Sequence, residues 1–98
     1  MDRKEHLLTC LSEECTEVGQ RVSKALRFGL NEVQAGQDLT NRARIAEEYR
    51  DLVAVMNILC EEGILRPFEL AVSQAQVDAK RAKIERFMEI SRREGVLT

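Results

Sequence analysis

Between residues 5 and 28 the apolar side chains fall at Leu7, Leu8, Leu11, Cys15, Val18, Val22 and Leu26, in three- and four-residue steps that fit one face of a helix. Arg27 near the end of this run and Gly29 just beyond it predict a helix C-terminus, where a basic side chain and a left-handed residue satisfy the last carbonyls. Gly19, inside the helix, costs up to about 1 kcal/mol relative to alanine. It marks either a close helix crossing or a tolerated imperfection. Residues 31–39 have no sustained period and the polar, glycine-containing composition of a loop. Thr40 or Asn41 then caps a second helix with apolar positions at Ile45, Tyr49, Leu52, Val53, Val55, Met56, Ile58 and Leu59, ending near Gly63. Pro67 closes that region. Ser73 and Gln76 have capping-box spacing ahead of Val77, Ile84, Phe87 and Met88, so a third helix is expected up to Gly95. No strand-like alternation, repeat or low-complexity tract interrupts the pattern. An all-α fold follows, with two long antiparallel helices and a C-terminal helix in one domain spanning 1–98.

Size changes the picture of the second helix. Its C-terminal half is apolar nearly all round and asks for burial on several sides, whereas a chain of 98 residues buries only about 60–70% of its unfolded surface. A second copy of the chain is the expected cover, giving a homo-oligomer, a dimer or tetramer, with a four-helix core built from helices of two subunits. A monomer whose third helix folds across the first two is the other arrangement.

Fifteen Lys plus Arg against seventeen Asp plus Glu leave a net charge of −2, without the basic excess that nucleic acid or an anionic lipid surface would attract. The longest uncharged stretch, Leu52 to Cys60, has nine residues, where a membrane span needs about 20. The N-terminal residues lack the basic-then-apolar order of a signal peptide, and a cytoplasmic location is expected. Cys10, Cys15 and Cys60 form no CxxC pair, and with His6 as the single histidine a zinc site lacks ligands. His6 reads as a solvated N-terminal residue. Dispersed glycines exclude a phosphate loop, and no nucleophile elbow or cysteine motif supports covalent catalysis.

The acidic residues are more informative. Acids three apart on a helix sit side by side, and the seventeen acids form three such pairs: Asp2/Glu5, Glu14/Glu17 and Glu48/Asp51. The last two lie mid-helix, away from the N-terminal ends where the macrodipole favours negative charge, and they border apolar positions. If the two helices pack antiparallel, the four carboxylates converge. Two unit charges 4 Å apart repel by about 4 kcal/mol at an effective dielectric of 20, so the group calls for a cation. Mg²⁺ suits it, with Mn²⁺ as a substitute, because a hard ion takes a few carboxylates and completes its shell with water and phosphate oxygens. The plainer reading is a solvated acidic face on which Glu17 pairs with Arg21 at i,i+4.

Glu13-Glu14-Cys15-Thr16-Glu17 reads as E-E-x-x-E and Glu48-Tyr49-Arg50-Asp51 as E-x-x-D. In order and on predicted helices, these resemble the paired signatures of the MazG-like all-α nucleoside triphosphate pyrophosphohydrolases. Lys24 to Leu30 after the first motif, the apolar run after the second and Lys80 to Arg93 also look like short bacterial and phage members, so the likeness covers most of the chain. The resemblance implies hydrolysis of a nucleoside triphosphate to the monophosphate and pyrophosphate, for cleansing or redirecting a nucleotide pool. It also implies Mg²⁺ held by Glu14, Glu17, Glu48 and Asp51, and assembly as dimers or dimers of dimers. Thirty residues separate Glu17 from Glu48, at or beyond the long end of the family's spacing.

Within that reading Glu13 or Glu17 is the candidate base for the attacking water. Glu13 points about 100° away from its neighbour Glu14 around the helix. Lys24, Arg27, Lys80 and Lys83 are candidates for the polyphosphate tail, each with an ordinary reading as a surface cation. Asn57 sits in the apolar run, either to read a base or to hydrogen-bond at an oligomer interface. The expected substrate is dGTP or a broad set of deoxynucleoside triphosphates, with dUTP or dCTP as the alternative. A non-enzymatic helical assembly or regulatory protein is the reading from another class.

Overall fold

The computed structural model describes all residues, Met1–Thr98. The chain is all-α, with helices α1 (Arg3–Phe28), α2 (Asn41–Glu61), α3 (Pro67–Leu70) and α4 (Gln74–Arg93). It divides into two compact units, Met1–Arg66 and Pro67–Thr98, described here in turn.

The first unit is an α1–α2 hairpin. Asp2 and Glu5 form a capping box at the start of α1, with Glu5 N–H donating to Asp2 Oδ1 at 2.8 Å and Asp2 N–H donating to Glu5 Oε2 at 2.9 Å. One of the three acidic pairs is thereby explained as a helix start. At the other end Gly29 adopts φ 96°, a conformation that side chains disfavour, and its N–H donates to Ala25 O at 2.8 Å. Thr40, rather than Asn41, caps α2, through Ala43 N–H at 3.1 Å.

The connection between the helices is more ordered than its composition predicts. Val33 and Thr40 form an antiparallel bridge. Asn41 N–H donates to Glu32 O, and Arg42 N–H donates to Leu30 O, both at 2.9 Å. The Asn41 side chain, 2% exposed, donates to Gly29 O at 2.9 Å and Glu32 Oε1 at 3.1 Å. Buried Arg44 reaches Gln34 Oε1 at 3.0 Å. These bonds pin the loop onto the first turn of α2. At the opposite end of the hairpin, Arg3 grips Glu62 in a two-point pair of 2.8 and 2.7 Å. The start of α1 therefore lies beside the end of α2, and the helices are antiparallel.

Burial corrects the expected inner face of α1. The less exposed positions are Leu7, Leu11, Glu14, Val18, Arg21 and Ala25, while Leu8, Cys15, Val22 and Leu26 are exposed, Leu26 at 82%. On α2 the matching stripe is Asn41, Arg44, Glu48, Leu52, Val55 and Leu59, with Leu59 fully buried and Tyr49, Val53 and Ile58 exposed. Both stripes advance in three- and four-residue steps. Their charged members fill positions that a purely apolar count assigns to the outside. The seam is apolar at the Leu7/Leu59 end and polar at the Ala25/Asn41 end. Within the single chain Gly19 is no crossing point, because a Cβ built there meets nothing within 4 Å.

In the second unit Ser73 and Gln76 form the predicted capping box of α4, at 2.8 and 3.1 Å. Gly95, at φ 76°, follows its end. The four-residue α3, which has no periodicity to reveal it, precedes this helix. No helix is long and apolar enough to cross a membrane.

Candidate metal centre

The middle of the hairpin seam gathers three carboxylates. One oxygen each from Glu14 and Glu17 of α1 and Glu48 of α2 lie within 4.8 Å of one another. Glu14 and Glu17 are one turn apart, so their side chains rise on the same side of α1. Antiparallel pairing brings Glu48, in the N-terminal half of α2, opposite them. Glu48 is buried, Glu14 half-buried and Glu17 exposed. The group is thus sealed on the α2 side and reachable from solvent at Glu17.

Two oxygens in this group lack hydrogen-bond donors. Oε2 of Glu14 and Oε2 of Glu48 are both buried without a partner. A buried anionic oxygen left unpaired costs more than an ordinary hydrogen bond contributes. Either a proton or a cation must offset it. The proton's share appears at Glu17, whose carboxyl is pushed above the usual glutamate range, first by hydrogen bonding with Glu48 and then by the charges of Glu14 and Glu48. Such a bond exists only when one of the two carboxyls keeps its proton. With all three ionised, the Arg21 guanidinium beside Glu48 offsets one negative charge and leaves the others without a protein cation. Three oxygen donors of this kind fit Mg²⁺ or Mn²⁺, which leave several coordination positions for water or substrate.

Arg21 is the one cation in contact with the group. Its Nε stands 3.4 Å from Glu48 Oε1, and its side chain is 18% exposed against 9% for Glu48. The pairing is one-pronged, since Arg21 Nη1 is buried without a partner. Glu17 was the expected partner of this arginine at i,i+4. Glu48 takes the contact instead, because position 21 faces inward along the same stripe as position 14.

Three of the four expected acids lie together. Asp51 is exposed and falls outside the group; three residues beyond Glu48, it is turned about 60° from it around the helix axis. Glu13 is also exposed and outside the group. Lys24 is half-buried, one turn past Arg21 on α1. Arg27 is exposed and stacks over the Phe28 ring at 4.9 Å. Asn57 is exposed within the single chain, so it makes no buried hydrogen bond there. Lys80 and Lys83 are exposed on α4 in the second unit, where Lys83 Nζ lies 5.9 Å from the Phe87 ring centre. Lys80 also borders a shallow cleft of about 520 Å³ with Leu70, Val72, Val77 and Arg81. Cys10, Cys15 and Cys60 are free thiols. Arg21, Asn41 and Arg44 are the polar residues of the seam that the chemistry-bearing motifs did not single out.

The chain matches no protein-family model, no curated protein and no solved structure.

Proposed function

We propose that the chain is a Mg²⁺-dependent nucleoside triphosphate pyrophosphohydrolase, in line with its resemblance to the MazG-like group. The observation that supports this reading most directly is the pair of donorless buried oxygens, Glu14 Oε2 and Glu48 Oε2, beside Glu17. They belong to the acids at which the E-E-x-x-E and E-x-x-D motifs place metal ligands. A cation bound there would neutralise phosphate charge and order water. Glu14, Glu17 and Glu48 would hold it, with Asp51 as the fourth ligand that the resemblance implies.

Glu17 is the better base of the two candidates. It is exposed to incoming water, and its proton affinity is raised by Glu48 and Glu14. The water oxygen attacks the α-phosphorus, the bond to the bridging oxygen breaks, and pyrophosphate departs as the water's proton passes to Glu17. Glu13 is turned from the group and remains a solvated neighbour. Lys24, half-buried on α1, is the nearest candidate in sequence for the polyphosphate, followed by Arg27, while Lys80 and Lys83 are exposed cations of the second unit that the resemblance favours. Asn57 is available to a base or to a second subunit. The substrate is a deoxynucleoside triphosphate, dGTP or a broad set.

A homo-oligomer is part of this reading. Leu8, Val22 and Leu26 on α1, with Tyr49, Val53 and Ile58 on α2, leave apolar surface exposed that a second copy would cover to complete a four-helix core. The same exposed surface favours the other class, a helical assembly protein without catalysis. A pyrophosphate-release assay across the natural dNTPs and NTPs, with Mg²⁺ and with chelator, separates the two. Metal-dependent release that disappears in Glu48→Gln is expected; no release from any nucleotide would sink the enzymatic reading.

A further inference from the structure

We infer that Arg21 is a resident counter-cation of the acidic trio, one against which an incoming divalent ion must compete. The inference rests on the proposed metal centre and adds a residue that neither motif contains. Three features of the seam lead to it. Arg21 Nε stands 3.4 Å from Glu48 Oε1 across the helix interface, and both side chains are largely buried. The contact is incomplete on both sides, since Arg21 Nη1 and Glu48 Oε2 are each buried without a partner. Finally, the position is shared. Glu14 and Arg21 are seven residues apart, two turns along one stripe, so the arginine leaves α1 on the same inner face as the acid.

A two-point arginine–carboxylate pair would use both oxygens of Glu48, as Arg3 and Glu62 do at the end of the hairpin. Arg21 instead holds one oxygen and leaves the other buried without a partner. Charge compensation in the metal-free protein is therefore partial. A divalent ion on Glu14, Glu17 and Glu48 completes it, and then meets the fixed positive charge of Arg21 within the same low-dielectric seam. Their repulsion is twice that of two unit charges at the same separation. Arg21 accordingly stabilises the fold without metal and weakens the metal's hold. It acts through Glu48 and is a positioning residue with respect to any reaction.

The test compares the wild-type chain with Arg21→Gln and Arg21→Lys. Mn²⁺ binding is measured by isothermal titration calorimetry, and thermal unfolding is followed with chelator and with saturating Mn²⁺. Neutral Arg21→Gln is expected to unfold at a lower temperature in chelator, to bind Mn²⁺ about tenfold or more tightly, and to gain more from Mn²⁺ than wild type does. Arg21→Lys, which keeps the charge, should bind Mn²⁺ within about threefold of wild type. If Arg21→Gln binds Mn²⁺ more weakly, Arg21 merely orients Glu48 and the inference fails. Unchanged affinity with reduced stability makes Arg21 a structural ion-pair partner only, and also overturns it. Should Arg21→Gln not fold, a charge effect still requires wild-type Mn²⁺ affinity in Arg21→Lys, and a loss there of more than about tenfold counts against it. Absence of Mn²⁺ binding by the wild-type chain itself would instead remove the metal centre on which both readings stand.

Discussion

Glu48 Oε1 lies 3.4 Å from Arg21 Nε while its second oxygen is buried without a donor. One carboxylate thus faces a protein cation on one side and an unmet charge on the other. That asymmetry makes Glu48 the most sensitive position in the seam. Glu48→Gln removes the buried anion, keeps the side-chain volume and is expected to weaken Mn²⁺ binding by more than about 100-fold, beyond the loss typical of residues that only support ligands. Asp51→Asn, at an exposed position outside the trio, is expected to weaken binding by about tenfold or less. Calorimetric titration of both variants checks the order, and an equal loss would bring Asp51 fully into the ligand set.

The raised Glu17 carboxyl gives stability a definite pH dependence. A glutamate that holds its proton more tightly in the folded state than in the unfolded one favours folding at low pH. That contribution fades as pH rises from the usual glutamate range through the raised value. In chelator, thermal stability should therefore fall with rising pH over this window, and Glu17→Gln should flatten the dependence. Saturating Mn²⁺ should reverse the slope, because metal and proton compete for the same oxygens. Circular dichroism melts at a series of pH values measure all three.

The loop anchor is testable through Asn41. Its side chain is buried and donates to both Gly29 O and Glu32 Oε1. Asn41→Ala leaves those acceptors unsatisfied and is expected to cost about 1–3 kcal/mol. Protection from amide exchange should drop across residues 29–41 rather than across the Leu7/Leu59 end. Uniform loss along both helices would mean that the loop is not separately anchored.

Gly19 offers the opposite sign. With open space around its missing Cβ and a helical backbone on either side, Gly19→Ala should raise stability by about 0.5–1 kcal/mol. Chemical denaturation measures the gain. A loss instead would show that another surface packs closely against this turn.

The helices and two of the caps were legible because local chemistry writes them: Thr40, Ser73 with Gln76, and glycines 29, 63 and 95 beyond helix ends, whereas Asp2 with Glu5 read only as an acidic pair. The inner face of α1 was not, because Glu14 and Arg21 stand where hydrophobic periodicity looks for leucine. The count then settled on Leu8, Cys15, Val22 and Leu26. Likewise α3 is a single turn, too short to set a period. Of the candidate ligands, Glu14, Glu17 and Glu48 follow from turn spacing plus antiparallel pairing. Asp51 stands from Glu48 as Glu17 does from Glu14, yet it is exposed and outside the group, a difference that turn spacing alone does not carry. Arg21 was hidden by its spacing from Glu17, which offers a local pair where the fold makes a long-range one.

The charged positions of the seam also act as a key for alignment. Sliding α2 by one turn, about 5.4 Å, would carry Glu48 along the Glu14–Val18–Arg21 stretch of α1 and break the present spacing between the buried acids and Arg21. Apolar contacts among Leu7, Leu11, Leu52, Val55 and Leu59 tolerate such a slip far better, because one aliphatic side chain substitutes readily for another. The polar half of the hairpin therefore specifies which turn meets which, as a buried polar residue does in a coiled coil, while the apolar half supplies cohesion.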